Sequence, residues 1–172
     1  EGSARAQTAA FGASEIAASL ARANRELAPL EIDRIASAIV RYSHKYEIDP
    51  MLVTAVLLVE SSARPWARSP KGAIGLMQIM PYTGRPLARQ FGMRYSTKLL
   101  HEPETSLSFG TRYFKQMMDR FDSRPEAALA AYNAGPHRVD RWLRPSPQMR
   151  RDEFTESIPF TETRNYVMII LG

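Results

Sequence analysis

A mainly α-helical fold is predicted for this chain of 172 residues. Segments with apolar residues at helical spacing follow one another along the sequence. Four of these segments begin at a proline, which is favoured in the first turn of a helix. The predicted segments do not alternate between strands and helices, so a parallel sheet is not expected. We therefore expect an all-α fold of about seven to nine helices, with at most a short β piece near residues 73–80.

The composition is that of a folded protein, with 44% hydrophobic residues and no cysteine. The lack of cysteine excludes a disulfide framework and a cysteine metal site. The three histidines show no metal-ligand spacing, so neither a metal nor another cofactor is expected, and His44 and His101 are predicted as plain surface residues. The net charge of +5 suits an anionic partner. The sequence has neither zinc-finger spacing nor a compact basic helix. Nucleic acid is therefore not expected as a partner.

The N-terminal third is predicted to hold three helices. Residues 1–13 are small and polar and are expected to be loose. A first helix is expected over residues 14–28, where Pro29 ends it, and a second over residues 30–46. We interpret residues 1–30 as an N-terminal extension. Because the chain begins at Glu1 without a methionine, it is expected to be a processed or excised piece.

The third predicted helix carries a carboxylate at its far end. Asp49 is a good N-cap and Pro50 a good first residue. Residues 51–59 are apolar nearly all round, which is typical of a buried helix. Burial of Glu60 and the negative end of the helix dipole would both raise its carboxyl pKa, as a proton donor at neutral pH requires. The alternative is that the helix ends near Val59 and Glu60 points into water.

The rest of the chain is predicted to contain two loops and five helices. Residues 63–81 are predicted as an ordered loop because of their prolines and glycines. The apolar run 73–80 within it is expected to form a short strand or a packed turn. Residues 144–157 are predicted as a polar loop. Two roles are open for its arginines, a solvated basic surface or a contact with peptide carboxylates, and these arginines are Arg144, Arg150 and Arg151. Further helices are predicted over residues 81–92, 103–121, 125–135, 139–143 and 161–171.

Five stretches, in this order, resemble the motifs of the soluble lytic transglycosylase catalytic domain. They are ESS at 60–62, SPKGA at 69–73, GLMQIMP at 75–81, AYNAGP at 131–136 and IPFTETRNYV at 158–167. The resemblance spans roughly residues 38–171. It implies a lysozyme-like α fold, and we assign residues 31–172 to this catalytic domain. The sequence departs from the family at Ala63, where an aromatic is common, and at Ser106, where Asn is usual. The first change is expected to widen a subsite or loosen the wall behind Glu60, and the second to weaken a structural hydrogen bond.

The resemblance implies cleavage of the MurNAc–GlcNAc β-1,4 bond of bacterial peptidoglycan, with 1,6-anhydroMurNAc ends as products. By this match, Glu60 is the one catalytic acid and then the base. It protonates the glycosidic oxygen and later takes the C6 hydroxyl proton, while the substrate's N-acetyl group replaces the second carboxylate that most glycosidases use. The sequence agrees in one respect, because no Asp or Glu occurs between Glu60 and Glu102.

The resemblance also implies three binding residues in the loop after Glu60. Ser69 would hydrogen-bond the N-acetyl group or a nearby sugar, Gln78 would bind sugar polar groups, and Met80 would lie against a sugar face. The alternative role of Ser69 is to cap the turn before Pro70. The alternative role of Met80 is to fill space in the hydrophobic core.

Three further binding residues lie near the C-terminus. By the resemblance, Tyr132 offers a stacking ring, Asn133 an amide, and Tyr166 a hydroxyl that approaches the catalytic acid. The alternative for Tyr132 and Asn133 is a packed and capped helix end. The alternative for Tyr166 is an ordinary core tyrosine.

An exported murein lytic transglycosylase of the periplasm or outer cell envelope is therefore the predicted function. Export is expected from the location of the substrate. It is not inferred from a signal peptide, because none is visible in this chain. Glycan strands are the predicted partner, and a secretion-system or cell-wall machinery protein is a further one. Two alternatives stay open: a goose-type lysozyme that hydrolyses the same bond, and a non-catalytic peptidoglycan-binding scaffold of a secretion system.

Overall fold

The computed structural model describes the backbone of residues 2–172 and the side chains from residue 12 onward. This part of the chain contains nine α-helices, one 3₁₀ helix over Thr97–His101 and no sheet, which confirms the predicted mainly α fold. None of its helices is long and apolar enough to cross a membrane. The helices are α1 (Gly2–Ala23), α2 (Pro29–Tyr46), α3 (Pro50–Ser61), α4 (Pro81–Gln90), α5 (Pro103–Arg120), α6 (Pro125–Ala134), α7 (Pro136–Leu143), α8 (Arg151–Ser157) and α9 (Thr161–Leu171).

The chain forms two compact units, Glu1–Thr111 and Arg112–Gly172. In the first unit, α1 packs against α2 and α3, and α2 packs against α3. In the second unit, α6 packs against α7, α8 and α9. The division into an extension over residues 1–30 and a catalytic domain over residues 31–172 stays a prediction.

Helix α1 differs from its predicted bounds at both ends. It begins at Gly2, because the alanines among residues 2–13 favour a helix over the loose segment that we expected. It ends at Ala23 because the side chain of Asn24 turns the backbone: its Oδ1 accepts from the Glu26 N–H at 3.0 Å. The amide nitrogen of Asn24 donates to the carbonyl of Ala63, also at 3.0 Å. The end of α1 is therefore tied to the loop after α3.

Helix α3 begins as predicted, with Pro50 as its first residue and Asp49 accepting from the Met51 N–H at 2.8 Å. Val53, Val56 and Leu57 are buried, while Met51 and Val59 at its two ends are exposed. The helix continues to Ser61, so the alternative of an end near Val59 is wrong.

An ion pair joins the start of α5 to α2. The Glu104 carboxylate accepts from Arg41 Nη2 at 2.7 Å and from the Tyr42 hydroxyl at 2.6 Å. Burial by itself would raise the pKa of Glu104, but the hydrogen bonds from Tyr42 and Arg41 and the Arg41 charge outweigh burial and lower this pKa.

The lowered pKa of Glu104 predicts a loss of stability in acid. The ionised carboxylate stabilises the fold above its ordinary pKa of 4.5, and this contribution disappears as the pH falls through the lower pKa of the folded state. The difference in free energy of unfolding between wild type and Glu104→Gln should therefore shrink as the pH falls below that ordinary value. Urea unfolding at several pH values measures it, with Glu15→Gln as an exposed control. A difference that is constant with pH would contradict this prediction.

The C-terminal helices follow the predictions except in one segment. Helix α9 has the predicted bounds, and α7 begins earlier than expected. Residues 144–157, predicted as a loop, contain α8. Glu153 accepts from the Arg150 N–H at 3.0 Å and so caps the first turn of α8, and Phe154 is fully buried, which stabilises the helix. Arg150 also pairs with Asp152, and Arg151 donates to the Leu171 carbonyl. Their contact with peptide carboxylates stays a prediction.

Candidate active site

An open pocket of about 520 Å³ in the first unit contains Glu60 on its wall. Ser69 and Gln78, two of the predicted binding residues, line the same pocket, so the structure brings these three side chains together. Met80 is half-buried at the N-cap of α4 and is not among the residues that line it. The pocket therefore combines the predicted acid with hydroxyl and amide groups that can bind a polar ligand.

Glu60 lies half-buried in the last turn of α3, and the backbone reverses directly after it. Ser62 and Ala63 both adopt left-handed conformations, with φ of 51° and 58°. Such conformations are strained for non-glycine residues and are held by surrounding contacts. Here the Ser62 N–H donates to the Leu58 carbonyl at 2.9 Å, and Asn24 donates to the Ala63 carbonyl at 3.0 Å. These bonds fix the chain immediately beyond Glu60.

Ala63 is the position after Glu60 at which the sequence departs from the family. Its side chain is fully buried and is not among the residues that line the pocket, and a wider subsite at this position stays a prediction. The bond between Asn24 and the Ala63 carbonyl also ties this position to the end of α1. The wall behind Glu60 is therefore anchored at this point.

Ser69 and Gln78 each combine a structural bond with a position on the pocket wall. The Ser69 hydroxyl accepts from the Ala73 N–H at 3.0 Å, which is the turn-capping role that we weighed as the alternative. A hydroxyl that accepts one bond still has a proton to donate. The Gln78 amide nitrogen donates to the carbonyls of Gly75 and Ala67 at 3.0 and 3.3 Å. Its amide oxygen is not engaged by these two bonds and is the atom that suits a sugar hydroxyl.

The apolar run 73–80 forms the packed turn that was one of the two expectations. Isolated bridges pair Ile74 with Arg68 and with Ile79, and Ile74 and Ile79 are buried. The Met77 N–H donates to the hydroxyl of Ser106 at 3.1 Å, and Ser106 is fully buried. Ser106 therefore makes a structural bond between this turn and the start of α5.

Tyr132, Asn133 and Tyr166 lie in the second unit. The Tyr132 ring is half-buried and packs against Tyr113, with ring centroids 5.3 Å apart. Asn133 Oδ1 accepts from the Thr163 hydroxyl at 2.7 Å and so connects α6 to α9. Tyr166 is only 6% exposed. These contacts are those of a packed helix end and a core tyrosine, and roles of the three side chains in binding substrate stay predictions.

Several pocket residues were not singled out from the sequence. Asn24 and Glu26 precede α2 and line the pocket together with Glu60. Trp66 also lines it, and its ring stacks on His101, with centroids 4.8 Å apart. The prediction of His101 as a plain surface residue is therefore wrong. A tryptophan in a Pro- and Arg-bearing loop between Glu60 and Ser69 was a signal that could have been used.

A family model for the transglycosylase SLT domain matches residues 37–155. The chain is 42% identical over 136 residues to the soluble lytic murein transglycosylase of Salmonella typhimurium, covering 77% of this chain and 21% of that protein. It is 41% identical over 135 residues to the Escherichia coli protein of the same name, with the same coverage. The chain therefore spans about a fifth of the length of these relatives.

Solved structures show the same relationship. The 70 kDa soluble lytic transglycosylase of E. coli aligns with a TM-score of 0.73 and 39% identity, covering 78% of this chain and 22% of that one. An inactive glutamate-to-glutamine mutant of the lytic transglycosylase Slt from Pseudomonas aeruginosa aligns with a TM-score of 0.72, 37% identity and the same coverage. Together with the lysozyme-like helical fold and the pocket around Glu60, these matches show that the chain belongs to the transglycosylase SLT domain family.

Proposed function

We propose that this protein is a peptidoglycan lytic transglycosylase that cleaves the MurNAc–GlcNAc β-1,4 bond and leaves 1,6-anhydroMurNAc ends. The observation that carries the proposal is the pocket in which half-buried Glu60 lies with Ser69 and Gln78. The names of the relatives support it, because the similar proteins are called lytic murein transglycosylases. The inactive glutamate-to-glutamine mutant among the solved structures supports an essential carboxylate.

In the proposed reaction, Glu60 acts first as an acid and then as a base. Its carboxyl proton goes to the glycosidic oxygen as the bond to the MurNAc anomeric carbon breaks. The N-acetyl group of the substrate stabilises the positive charge at this carbon. The ionised Glu60 then takes the proton of the C6 hydroxyl, whose oxygen bonds to the anomeric carbon and closes the anhydro ring. Glu60 ends the cycle protonated, so no water is consumed.

The binding residues have separate roles in this proposal. Ser69 donates its hydroxyl proton to the N-acetyl group or a nearby sugar, and Gln78 accepts from a sugar hydroxyl through its amide oxygen. Met80 lies against a sugar face. In the second unit, Tyr132 supplies a stacking ring and Asn133 an amide.

Tyr166 completes the set of proposed site residues, as the family resemblance implies. We further propose that the protein acts in the periplasm or outer envelope of a bacterium, where its substrate lies. Relatives named as soluble and as membrane-bound enzymes support a role in the envelope. A secretion-system or cell-wall machinery protein is a proposed additional partner.

Hydrolysis of the same bond is the second candidate, and one observation favours it. Glu26 lines the pocket that holds Glu60, so a second carboxylate is present on its wall. A carboxylate that activates water would give free reducing ends, as in glycosidases that use two carboxylates. The two candidates therefore differ in their product rather than in their substrate.

Mass spectrometry of the muropeptides released from purified peptidoglycan tests the proposal. Wild type should release anhydro-muropeptides, and Glu26→Gln should give the same products. Free reducing ends from wild type that disappear in Glu26→Gln would instead establish the hydrolase. If wild type releases no muropeptides at all, both the transglycosylase and the hydrolase hypotheses are wrong, and a binding scaffold is favoured.

A further inference from the structure

Trp66 lies on the wall of the pocket that holds Glu60, and it is 74% exposed. Among the described residues that line this pocket, it is the only aromatic one. Tryptophan usually buries most of its large apolar surface. An exposed ring keeps apolar area in water, and a ligand that covers this area would gain free energy.

The orientation of the Trp66 ring is held by a second aromatic ring. His101 stacks on it with centroids 4.8 Å apart and planes inclined by 27°. The Nδ1 atom of His101 lies 3.2 Å from the Pro65 carbonyl oxygen, which holds the imidazole against the loop that carries Trp66. Because His101 covers one side of the indole and Trp66 remains mostly exposed, the other side of the indole faces solvent. A ring held in this way loses little conformational entropy when a ligand covers it.

The surroundings of Trp66 define the chemistry of its ligand. Ser69 and Gln78 offer polar groups, and Arg64 and Arg68 carry positive charge on the same wall. A flat apolar surface beside hydrogen-bonding groups suits a pyranose ring, which presents C–H bonds on one face and hydroxyl or acetamido groups at its edge. The electron-rich face of an indole attracts such polarised C–H groups.

We propose that Trp66 is a stacking surface for an N-acetylated amino-sugar ring of the glycan strand, in a subsite beside the ring that is cleaved at Glu60. His101 is a positioning residue that keeps the indole in place. This inference rests on the proposed function, because it assigns a further subsite for the same substrate. It makes Trp66 a determinant of glycan affinity rather than of the chemical step.

Binding of a soluble β-1,4-linked oligomer of N-acetylglucosamine tests this subsite, in a Glu60→Gln background that prevents turnover. The chain has two tryptophans, so Trp142→Phe leaves Trp66 as the only indole reporter. Its fluorescence should change as the oligomer is added. By calorimetry, Trp66→Ala should bind about tenfold more weakly, while Trp66→Tyr should keep most of the affinity. His101→Ala should weaken binding less, and His101→Phe should restore it because a stacked ring is still present.

Unchanged affinity in Trp66→Ala, with an unfolding midpoint equal to that of its parent, would overturn the inference. The muropeptide digest separates this result from a failure of the proposed function. If wild type releases anhydro-muropeptides while Trp66→Ala binds normally, only the subsite is wrong. If wild type cleaves nothing but oligomer binding depends on Trp66, the subsite holds and the transglycosylase reaction is wrong.

Discussion

Glu60→Gln should lower the rate of anhydro-muropeptide release by about 10²- to 10⁴-fold, the range typical for the loss of a general acid–base group. Glutamine has nearly the shape of glutamate, but it neither donates the proton that the leaving oxygen needs nor takes the proton of the C6 hydroxyl. Both steps assigned to this side chain would therefore fail. The rate is measured by chromatography of soluble muropeptides released from purified peptidoglycan.

The matched control for this change is Glu15→Gln, which makes the same substitution at an exposed position on α1. It should release products at the wild-type rate. Because Glu60 is half-buried at a helix end, the free energy of unfolding of Glu60→Gln should also be compared with that of wild type. A stable Glu60→Gln protein with activity close to wild type would show that another group is the acid.

Gly75→Ala should lower the free energy of unfolding by about 3 to 5 kcal/mol, through backbone strain and overpacking together. Gly75 has φ of +81°, a conformation that L side chains rarely adopt. A Cβ atom at this position would lie 1.9 Å from the carbonyl oxygen of Leu100 and 3.0 Å from the Ser106 hydroxyl. The first contact is with backbone, which moves only if the chain before α5 shifts. Urea unfolding measures the effect.

Gly72→Ala separates the two causes of this loss. Gly72 also has positive φ, at +93°, but a Cβ atom there would have no neighbour within 4 Å. Strain alone then predicts a loss of about 1 to 2 kcal/mol. Equal losses in the two variants would show that the close approach of Leu100 to Gly75 does not limit this turn.

Local patterns in the sequence predicted most of the helices and the position of Glu60. Asp49 and Pro50 specify the start of α3 because an N-cap carboxylate and a proline both act on groups within the same turn. The helical spacing of Ile35 and Ile39, which are both buried in α2, is equally local. The family motifs add Ser69 and Gln78, which the structure places in the pocket with Glu60.

Tertiary structure decided the features that depend on residues far apart in the chain. The bond between Asn24 and the Ala63 carbonyl joins residues 39 positions apart and accompanies the early end of α1, and Asn24 and Glu26 both line the pocket. The stacking of Trp66 on His101 likewise joins residues that are far apart in the chain. Helix α8 forms where its Phe154 is buried, although the surrounding polar residues indicated a loop. Propensity and capping act over one or two turns, whereas burial and long-range hydrogen bonds exist only once the helices are packed. The sequence by itself therefore determined most of the helices and the proposed acid, whereas packing determined helix α8 and the pocket walls formed by residues distant in the chain.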